Sequence, residues 1–276
     1  MNMLFYFMPP SVEIAKVVAQ DPDVILFVDL ESLGKQKRQG HLKTWKSKHS
    51  ITHVNDIREA CPDTELLVRI DPLNINSQEQ VDNVIRGGAN AIMLPMFHDI
   101  DEVKAIVELV NGRTRLVPLF ETISSLKILE DAIRLYDIKD LHFGLNDLSL
   151  DLGYNFLFEV ISNGILEESC SFLRSNGIDF GIGGVARSQE GVISPEYLLG
   201  EHVRLGSTRV ILSQTFHRNP KDLNAMADDM NFSEELSKLK KIYSNFSKCS
   251  DAELKTNQLM TNSRIKDVSN LIHKSK

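Results

Sequence analysis

The chain has 276 residues, a hydrophobic fraction of 42%, a charged fraction of 25% and a net charge of 31 − 38 = −7. This length suits one α/β barrel with an appendix, and the negative charge argues against a nucleic-acid-binding or anionic-membrane-binding protein. The three cysteines, Cys61, Cys170 and Cys249, are widely spaced and odd in number. They fit neither a disulfide framework nor a zinc site, so we expect a cytoplasmic protein.

Short apolar runs alternate with amphipathic stretches along the first part of the chain. The runs are almost continuously apolar, which is typical of parallel strands covered by helices. Eight strand–helix units predict an α/β fold, a (β/α)8 TIM barrel over residues 1–220, and an open doubly wound sheet is the alternative. The first run is too short to span a membrane. The candidate strands are Leu4–Met8, Val24–Leu30, Leu66–Ile70, Ala91–Pro95, Leu116–Phe120, Leu141–Leu145, Phe180–Gly184 and Arg209–Leu212.

The strand pattern stops near Pro220. Leu223–Met230, Phe232–Phe246 and Asp251–His273 have the spacing of apolar residues that is typical of helices. We therefore expect additional C-terminal helices over residues 221–276. Two interpretations are open: the helices pack on the barrel exterior, or they form an arm that packs on a neighbouring subunit of a homo-oligomer.

Two carboxylates follow consecutive strands in the middle of the chain. Glu121 comes directly after Leu116–Phe120, and Asp147 comes two residues after Leu141–Leu145. In a parallel barrel both emerge at the carboxyl-terminal rim, where barrel enzymes build their active sites. Two hard oxygen ligands with open positions suit Mg²⁺ or Mn²⁺. The alternative is a pair of solvated carboxylates, or carboxylates that cap the following helices.

A guanidinium lies near the end of an earlier strand. Arg69 belongs to the segment Leu66–Ile70, and Asp29 and Glu31 share one face of the preceding strand. Arginine at such a position can clamp a carboxylate or an oxyanion. The alternative is an internal salt bridge between Arg69 and Glu31.

The segment from Ser32 to Val54 is basic. It contains six cations and three histidines but no acidic residue, which favours attraction of an anionic substrate by local potential. A solvated surface loop is the alternative. The residues are Lys35, Lys37, Arg38, Lys43, Lys46, Lys48, His41, His49 and His53.

Three further features carry weaker signals. His142 is out of phase with Asp147 along its strand, so we expect it to face the helix layer. The glycines of residues 181–184 lack the spacing of a nucleotide-binding loop, and we expect them to allow close packing of the strand. Arg187, just beyond, is a candidate contact for an anion.

Several of these segments together resemble the HpcH/HpaI aldolase and citrate lyase family over roughly residues 1–217. The most specific one is residues 143–149, Phe-Gly-Leu-Asn-Asp-Leu-Ser, with Glu121 one repeat upstream. The other segments are residues 28–31 (Val-Asp-Leu-Glu), 67–72 (Leu-Val-Arg-Ile-Asp-Pro), 88–95 (Gly-Ala-Asn-Ala-Ile-Met-Leu-Pro), 118–122 (Pro-Leu-Phe-Glu-Thr) and 152–153 (Leu-Gly).

The resemblance implies a (β/α)8 barrel that makes or breaks a carbon–carbon bond beside an oxo acid through a metal-stabilised enolate. It implies that Glu121 and Asp147 ligate Mg²⁺ or Mn²⁺ and that Arg69, supported by Asp29 and Glu31, stabilises the developing charge. Backbone amides near Gly144, Asn146 and Asp147 would hold the substrate carboxylate. A helical C-terminal region often packs on a partner subunit in this family, which supports a homo-oligomer.

The chain departs from the family pattern at two places. Aldolase members carry a Glu-His pair after the second strand, where this chain reads Glu31-Ser32-Leu33, so His41 or a metal-bound water would have to act as the acid/base. Citrate-lyase-type members have a second acid after residues 29–31 and an Ile-His-Pro stretch near the eighth strand, which this chain lacks. The expected function is a class II-type aldolase acting on a pyruvate-like 2-oxo acid and an anionic or polyhydroxylated aldehyde. The alternatives are a CoA-ester lyase of citryl or malyl type, or a non-catalytic oxo-acid-binding barrel.

Overall fold

A computed structural model describes residues 2–34 and 49–275. Its eight strands are all parallel and pair in chain order, and β1 pairs with β8 to close the barrel. The predicted (β/α)8 barrel is confirmed, and the open-sheet alternative is wrong. The strands are β1 Leu4–Phe7, β2 Val24–Asp29, β3 Leu66–Arg69, β4 Ala91–Leu94, β5 Arg115–Phe120, β6 Asp140–Phe143, β7 Asp179–Val185 and β8 Arg209–Leu212.

Helices follow the strands as the apolar spacing predicts. They are α1 Val12–Val18, α2 Ile51–Ala60, α3 Ser77–Arg86, α4 Ile100–Val110, α5 Ile123–Lys127, α6 Leu129–Tyr136, α7 Leu145–Asp151, α8 Glu159–Ser162, α9 Glu167–Ser175, α10 Pro195–Leu205, α11 Gln214–His217, α12 Leu223–Asp229, α13 Phe232–Phe246 and α14 Asp251–Ser275. Within residues 2–34 and 49–275, no helix is long and apolar enough to cross a bilayer.

Residues 145–175 form three separate helices, α7, α8 and α9. Gly153 and Gly164 have φ angles of 70° and 71°. A left-handed backbone cannot continue a right-handed helix, so the chain turns at both glycines. The first of these helices, α7, carries Asp147 in its first turn.

The strands separate two packed regions. Their inward side chains fill the barrel with a small apolar group that includes Tyr6, Phe27, Leu67, Met93 and Leu119. Their outward side chains join the inner faces of the helices in the larger core. This division leaves the two ends of the barrel as the places where polar groups can converge, and barrel enzymes build their active sites at the carboxyl ends of the strands.

The C-terminal helices lie on the exterior of their own barrel. Helices α13 and α14 pack against α10. The Tyr243 hydroxyl donates to the Ser207 carbonyl at 3.1 Å, and the Asn257 amide donates to the Tyr197 carbonyl at 3.0 Å. Gly200 lets α14 approach, because a Cβ there would lie 2.3 Å from the Asn257 side chain. Of the two interpretations of residues 221–276, exterior packing matches these contacts.

His142 faces the barrel interior, so the expectation that it faces the helix layer is wrong. Its ring centroid lies 5.6 Å from that of Tyr6, and Nε2 lies 3.1 Å from the Gly183 carbonyl oxygen. The phase argument failed because β6 ends at Phe143 and Asp147 is on a helix. Close packing at the glycines is confirmed, since a Cβ on Gly181 would lie 2.1 Å from His142 Nδ1.

Candidate active site

The two carboxylates predicted to bind metal both lie at the carboxyl-terminal rim. Phe120 pairs with Phe143 across β5 and β6, so the chain leaves both strands at the same level. Glu121 follows immediately, and Asp147 lies in the first turn of α7. Helix α5 is capped by a reciprocal pair, Thr122 and Ser125, so the Glu121 carboxylate is not its cap.

Glu121 is almost completely buried, with 4% of its surface exposed. One oxygen, Oε1, accepts the backbone N–H of Met96 at 3.0 Å. Burial, then the nearby carboxylates of Asp147 and Glu31, raise the pKa of Glu121 to about 8, and Arg69 and the Met96 N–H oppose the rise. The alternative of a solvated rim carboxylate is therefore wrong for Glu121. A carboxylate in this environment gains strongly from a bound cation.

Arg69 lies beside this pair, between two more carboxylates. Asp29 and Arg69 are register partners on β2 and β3. The guanidinium donates to both Asp29 oxygens, at 2.9 and 2.8 Å, and Nε lies 3.4 Å from Glu31 Oε2. Its carbon Cζ is 5.7 Å from the centroid of the Phe27 ring. Burial lowers the pKa of Arg69, but Asp29 and Glu31 outweigh it and raise the value, so the group stays a cation.

The site holds more negative than positive charge. Glu121 interacts electrostatically with Asp147, Glu31 and Arg69, and Arg69 interacts with Asp29 as well. Among the described residues, the site thus contains four carboxylates and one guanidinium, and the donor set is made of hard oxygens. This arrangement fits Mg²⁺ or Mn²⁺. In the part of the chain that the structure describes, no group of three or more His, Cys, Asp or Glu residues is placed to hold an ion.

The predicted substrate-binding residues lie next to the acidic pair. Gly144 precedes α7, and a Cβ there would lie 2.6 Å from Glu121 Oε2 and 2.7 Å from Glu121 Cβ, so the glycine makes room for Glu121. Asn146 is half-buried in the first turn of α7, where its carbonyl accepts the Ser149 hydroxyl at 2.7 Å. Both lie next to Asp147, and their role in binding the substrate carboxylate stays a prediction. His41 lies outside the described residues, as do all six cations of the basic segment.

Arg187 does not provide a free anion contact. Its Nε donates to the Phe216 carbonyl at 2.6 Å, and its Nη2 pairs with the carboxylate of Asp229. Its side chain is 5% exposed. The sequence pattern missed this role because the partners come from α11 and α12, far along the chain.

Three supporting groups were not singled out from the sequence. His49 Nδ1 accepts the backbone N–H of Asp29 at 3.2 Å. Asp71 Oδ1 accepts the backbone N–H groups of Ser32 and Leu33, at 2.7 and 2.8 Å. Met96 supplies the N–H to Glu121. The Asp71-Pro72 pair after β3 is a sequence feature that could have identified Asp71. No sequence feature predicts the backbone conformation of Met96.

A closed parallel barrel with an acidic, partly buried site at its carboxyl-terminal rim has the architecture of the (β/α)8 barrel enzymes. A sequence model of the family described as HpcH/HpaI aldolase/citrate lyase matches residues 3–157. This match covers more than half of the 276 residues, and the chain belongs to that family. The matched region contains Asp29, Glu31, Arg69, Glu121 and Asp147.

Solved structures agree on the fold. An HpcH/HpaI aldolase from Desulfitobacterium hafniense DCB-2 is 14% identical, with a TM-score of 0.61 over 87% of this chain and 93% of that one. A citrate lyase from Burkholderia xenovorans LB400 is 15% identical, with a TM-score of 0.59 over 89% and 82%. The citrate synthase SbnG is 15% identical, with a TM-score of 0.58 over 87% and 95%. A comparison with curated proteins gives no match.

Proposed function

We propose that this protein is a divalent-metal-dependent carbon–carbon lyase of the class II aldolase type, acting on a pyruvate-like 2-oxo acid and an aldehyde. The observation that supports it most is the charge balance at the rim: Glu121 is buried, and Asp147 and Glu31 raise its pKa further. A bound hard cation would offset the negative charge of these carboxylates. Family membership supports a lyase.

Glu121 and Asp147 would hold Mg²⁺ or Mn²⁺. The ion, when bound, supplies Lewis acidity to the oxo-acid fragment. Arg69, fixed by Asp29 and Glu31, would stabilise negative charge that develops on the oxo oxygen, and its side chain remains 16% exposed. The backbone N–H groups around Asn146 would bind the substrate carboxylate, because the first N–H groups of a helix lack partners within it.

Two alternatives are weaker on these grounds. A non-catalytic barrel would have no reason to retain a buried carboxylate with a strongly raised pKa beside a fixed guanidinium. A CoA-ester lyase is weaker because this chain has Ser32 where citrate-lyase-type members have a second acid, and because it lacks their Ile-His-Pro stretch near the eighth strand. The cations between Lys35 and Lys48, which lie outside the described residues, are the basis for proposing an anionic or polyhydroxylated aldehyde. A homo-oligomer remains a proposal from the family resemblance.

The test is decarboxylation of oxaloacetate with and without Mg²⁺ or Mn²⁺. This reaction needs only a bound oxo acid and stabilisation of the resulting negative charge, so the natural aldehyde need not be known. Wild type is expected to depend on the metal. Asp147→Ala and Glu121→Ala are each expected to lose activity by at least about 100-fold, because both remove a ligand.

Asp151→Ala is the matched control. Asp151 is an exposed carboxylate on the same helix as Asp147, and its Oδ2 accepts the Ile123 N–H at 2.7 Å. This variant is expected to keep the wild-type rate within about threefold, which corresponds to less than 1 kcal/mol. Turnover that persists in EDTA contradicts metal dependence, and equal turnover in wild type and Asp147→Ala contradicts the assigned ligands.

A further inference from the structure

Met96 follows Pro95 at the end of β4 and has an unusual backbone. Its φ angle is 48°, in the left-handed region, although it is not glycine. This conformation is uncommon for a side chain with a Cβ and persists only where surrounding contacts require it. The residue is half-buried at the carboxyl-terminal rim, next to the candidate site.

The left-handed turn directs the Met96 N–H at Glu121. The nitrogen is 3.0 Å from Oε1 of that carboxylate. Glu121 is buried, so the bond is shielded from water and is charge-assisted when the carboxylate is ionised. The side chain of Met96 takes no part in this contact.

Gly144 lies against the other oxygen of the same carboxylate. A Cβ at this position would lie 2.6 Å from Oε2, closer than any real Cβ contact. The φ angle of Gly144 is −87°, which other residues adopt freely. The glycine is therefore required by the space that Glu121 occupies and not by its own backbone. One oxygen of Glu121 accepts the Met96 N–H, and the other lies next to the backbone of Gly144, which has no side chain.

We propose that the left-handed backbone of Met96 and the missing side chain of Gly144 together position Glu121 for metal binding. Met96 and Gly144 act in this role as positioning residues, through backbone N–H direction and free space. The inference rests on the proposed function, because it concerns how a proposed metal ligand is oriented. Partners that orient a metal ligand commonly change metal affinity by about 10- to 100-fold when lost.

The direct test is Mn²⁺ affinity, measured by electron paramagnetic resonance titration. Met96→Val is expected to weaken binding by at least about tenfold, because a β-branched residue resists positive φ and turns the N–H away. Met96→Gly is expected to stay within about threefold of wild type, since glycine adopts positive φ readily. Gly144→Ala is expected to weaken binding as Met96→Val does, because its Cβ displaces Glu121, and it does so without a positive-φ conflict.

Asn111→Val is the matched control for backbone conflict. Asn111 has a φ angle of 47°, ends α4 and is exposed. Its replacement introduces the same conflict away from Glu121, so stability is expected to fall while Mn²⁺ affinity is unchanged. If Met96→Val and Gly144→Ala both bind Mn²⁺ like wild type, the inference is overturned.

A metal-free measurement separates this inference from the proposed function. In EDTA, the unfolding equilibrium constant is measured for Met96→Val, Glu121→Ala and the double variant. The constant of the double variant is expected to differ by roughly fivefold from the value that the two single variants predict, because both remove the same hydrogen bond. Asn111→Val and Glu121→Ala are expected to be additive. Additivity of Met96→Val with Glu121→Ala overturns the positioning role even if wild type binds metal. Non-additivity together with Mn²⁺ binding by wild type supports it. If wild type binds no Mn²⁺, both the proposed function and the role in metal binding fail, whereas additivity in a wild type that binds Mn²⁺ overturns the positioning role alone.

Discussion

The two ends of the barrel each bury a carboxylate, but they balance its charge differently. At the amino-terminal end, Asp140 is 2% exposed and faces two guanidiniums, with Nε of Arg209 at 3.1 Å and Nε of Arg115 at 3.5 Å. Burial raises the pKa of Asp140 to about 6, and the two arginines limit the rise. At the carboxyl-terminal end, burial and like charges raise the pKa of Glu121 to about 8.

The two ends differ in the charged side chains that surround the buried carboxylate. Asp140 has its cations supplied by the chain, so its ion pairs complete a structural network. Among the described residues, Glu121 has the carboxylates of Asp147 and Glu31 nearby, and Arg69 is the cation that opposes them. An excess of buried negative charge costs stability unless a ligand relieves it, which is the pattern expected of a functional site. The amino-terminal end of a (β/α)8 barrel is ordinarily the structural one.

The largest expected contrast comes from exchanging arginine for lysine at each end. Arg69→Lys is expected to lower oxaloacetate decarboxylation by about 100- to 1000-fold, since an ammonium cannot reproduce the planar fork that pairs with Asp29. Arg115→Lys keeps the charge at a position 38% exposed and is expected to leave the rate unchanged. Equal losses in the two variants would remove the functional distinction between the ends.

Neutralising one carboxylate at each end should change metal-free stability in opposite directions. Asp140→Asn leaves Arg209 without one buried partner and is expected to destabilise the protein by about 2–4 kcal/mol. Above pH 8, where Glu121 is ionised, Asp147→Asn removes a charge that repels Glu121 and is expected to stabilise the protein by up to about 1 kcal/mol. Urea unfolding in EDTA measures both, and destabilisation by Asp147→Asn contradicts the excess of negative charge.

The third expected effect is a pH dependence of stability. Folded Glu121 keeps its proton up to about pH 8, whereas the unfolded chain loses it near pH 4.5. The stability present below pH 4.5 is therefore lost as pH rises to 8, at up to about 1.4 kcal/mol per pH unit. The contribution of Asp140 to stability is also lost as pH rises, but this loss is complete near pH 6.

Urea unfolding in EDTA between pH 6.5 and 8 isolates the contribution of Glu121. Wild type is expected to lose stability across this interval, and Glu121→Gln is expected to flatten the dependence because its side chain does not ionise. Saturating Mn²⁺ is expected to stabilise wild type more at pH 8 than at pH 6.5. An identical slope in wild type and Glu121→Gln rules out the raised pKa of Glu121 as its source.

The candidate residues at the carboxyl-terminal end were identified from the sequence, whereas the group of Asp140, Arg115 and Arg209 at the other end was not. Strands buried on both faces are nearly continuous apolar runs, so all eight were found, and Glu121 and Asp147 were located by the ends of two of them. Arg69, Asp29 and Glu31 were found in the same way. His142 was misassigned because strand alternation was extended past the end of β6 into a helix. Arg187 was misassigned because Phe216 and Asp229 are distant in sequence.

The sequence by itself determined the barrel, the C-terminal helices and the candidate acidic and basic residues, because apolar periodicity and residue chemistry are local properties. Only the tertiary structure decided which carboxylates are balanced, because burial and charge balance depend on side chains from several strands. It alone revealed the left-handed backbone of Met96 and the space beside Gly144. Both follow from how β4, β5 and β6 meet at the rim, and residue types alone do not predict that geometry.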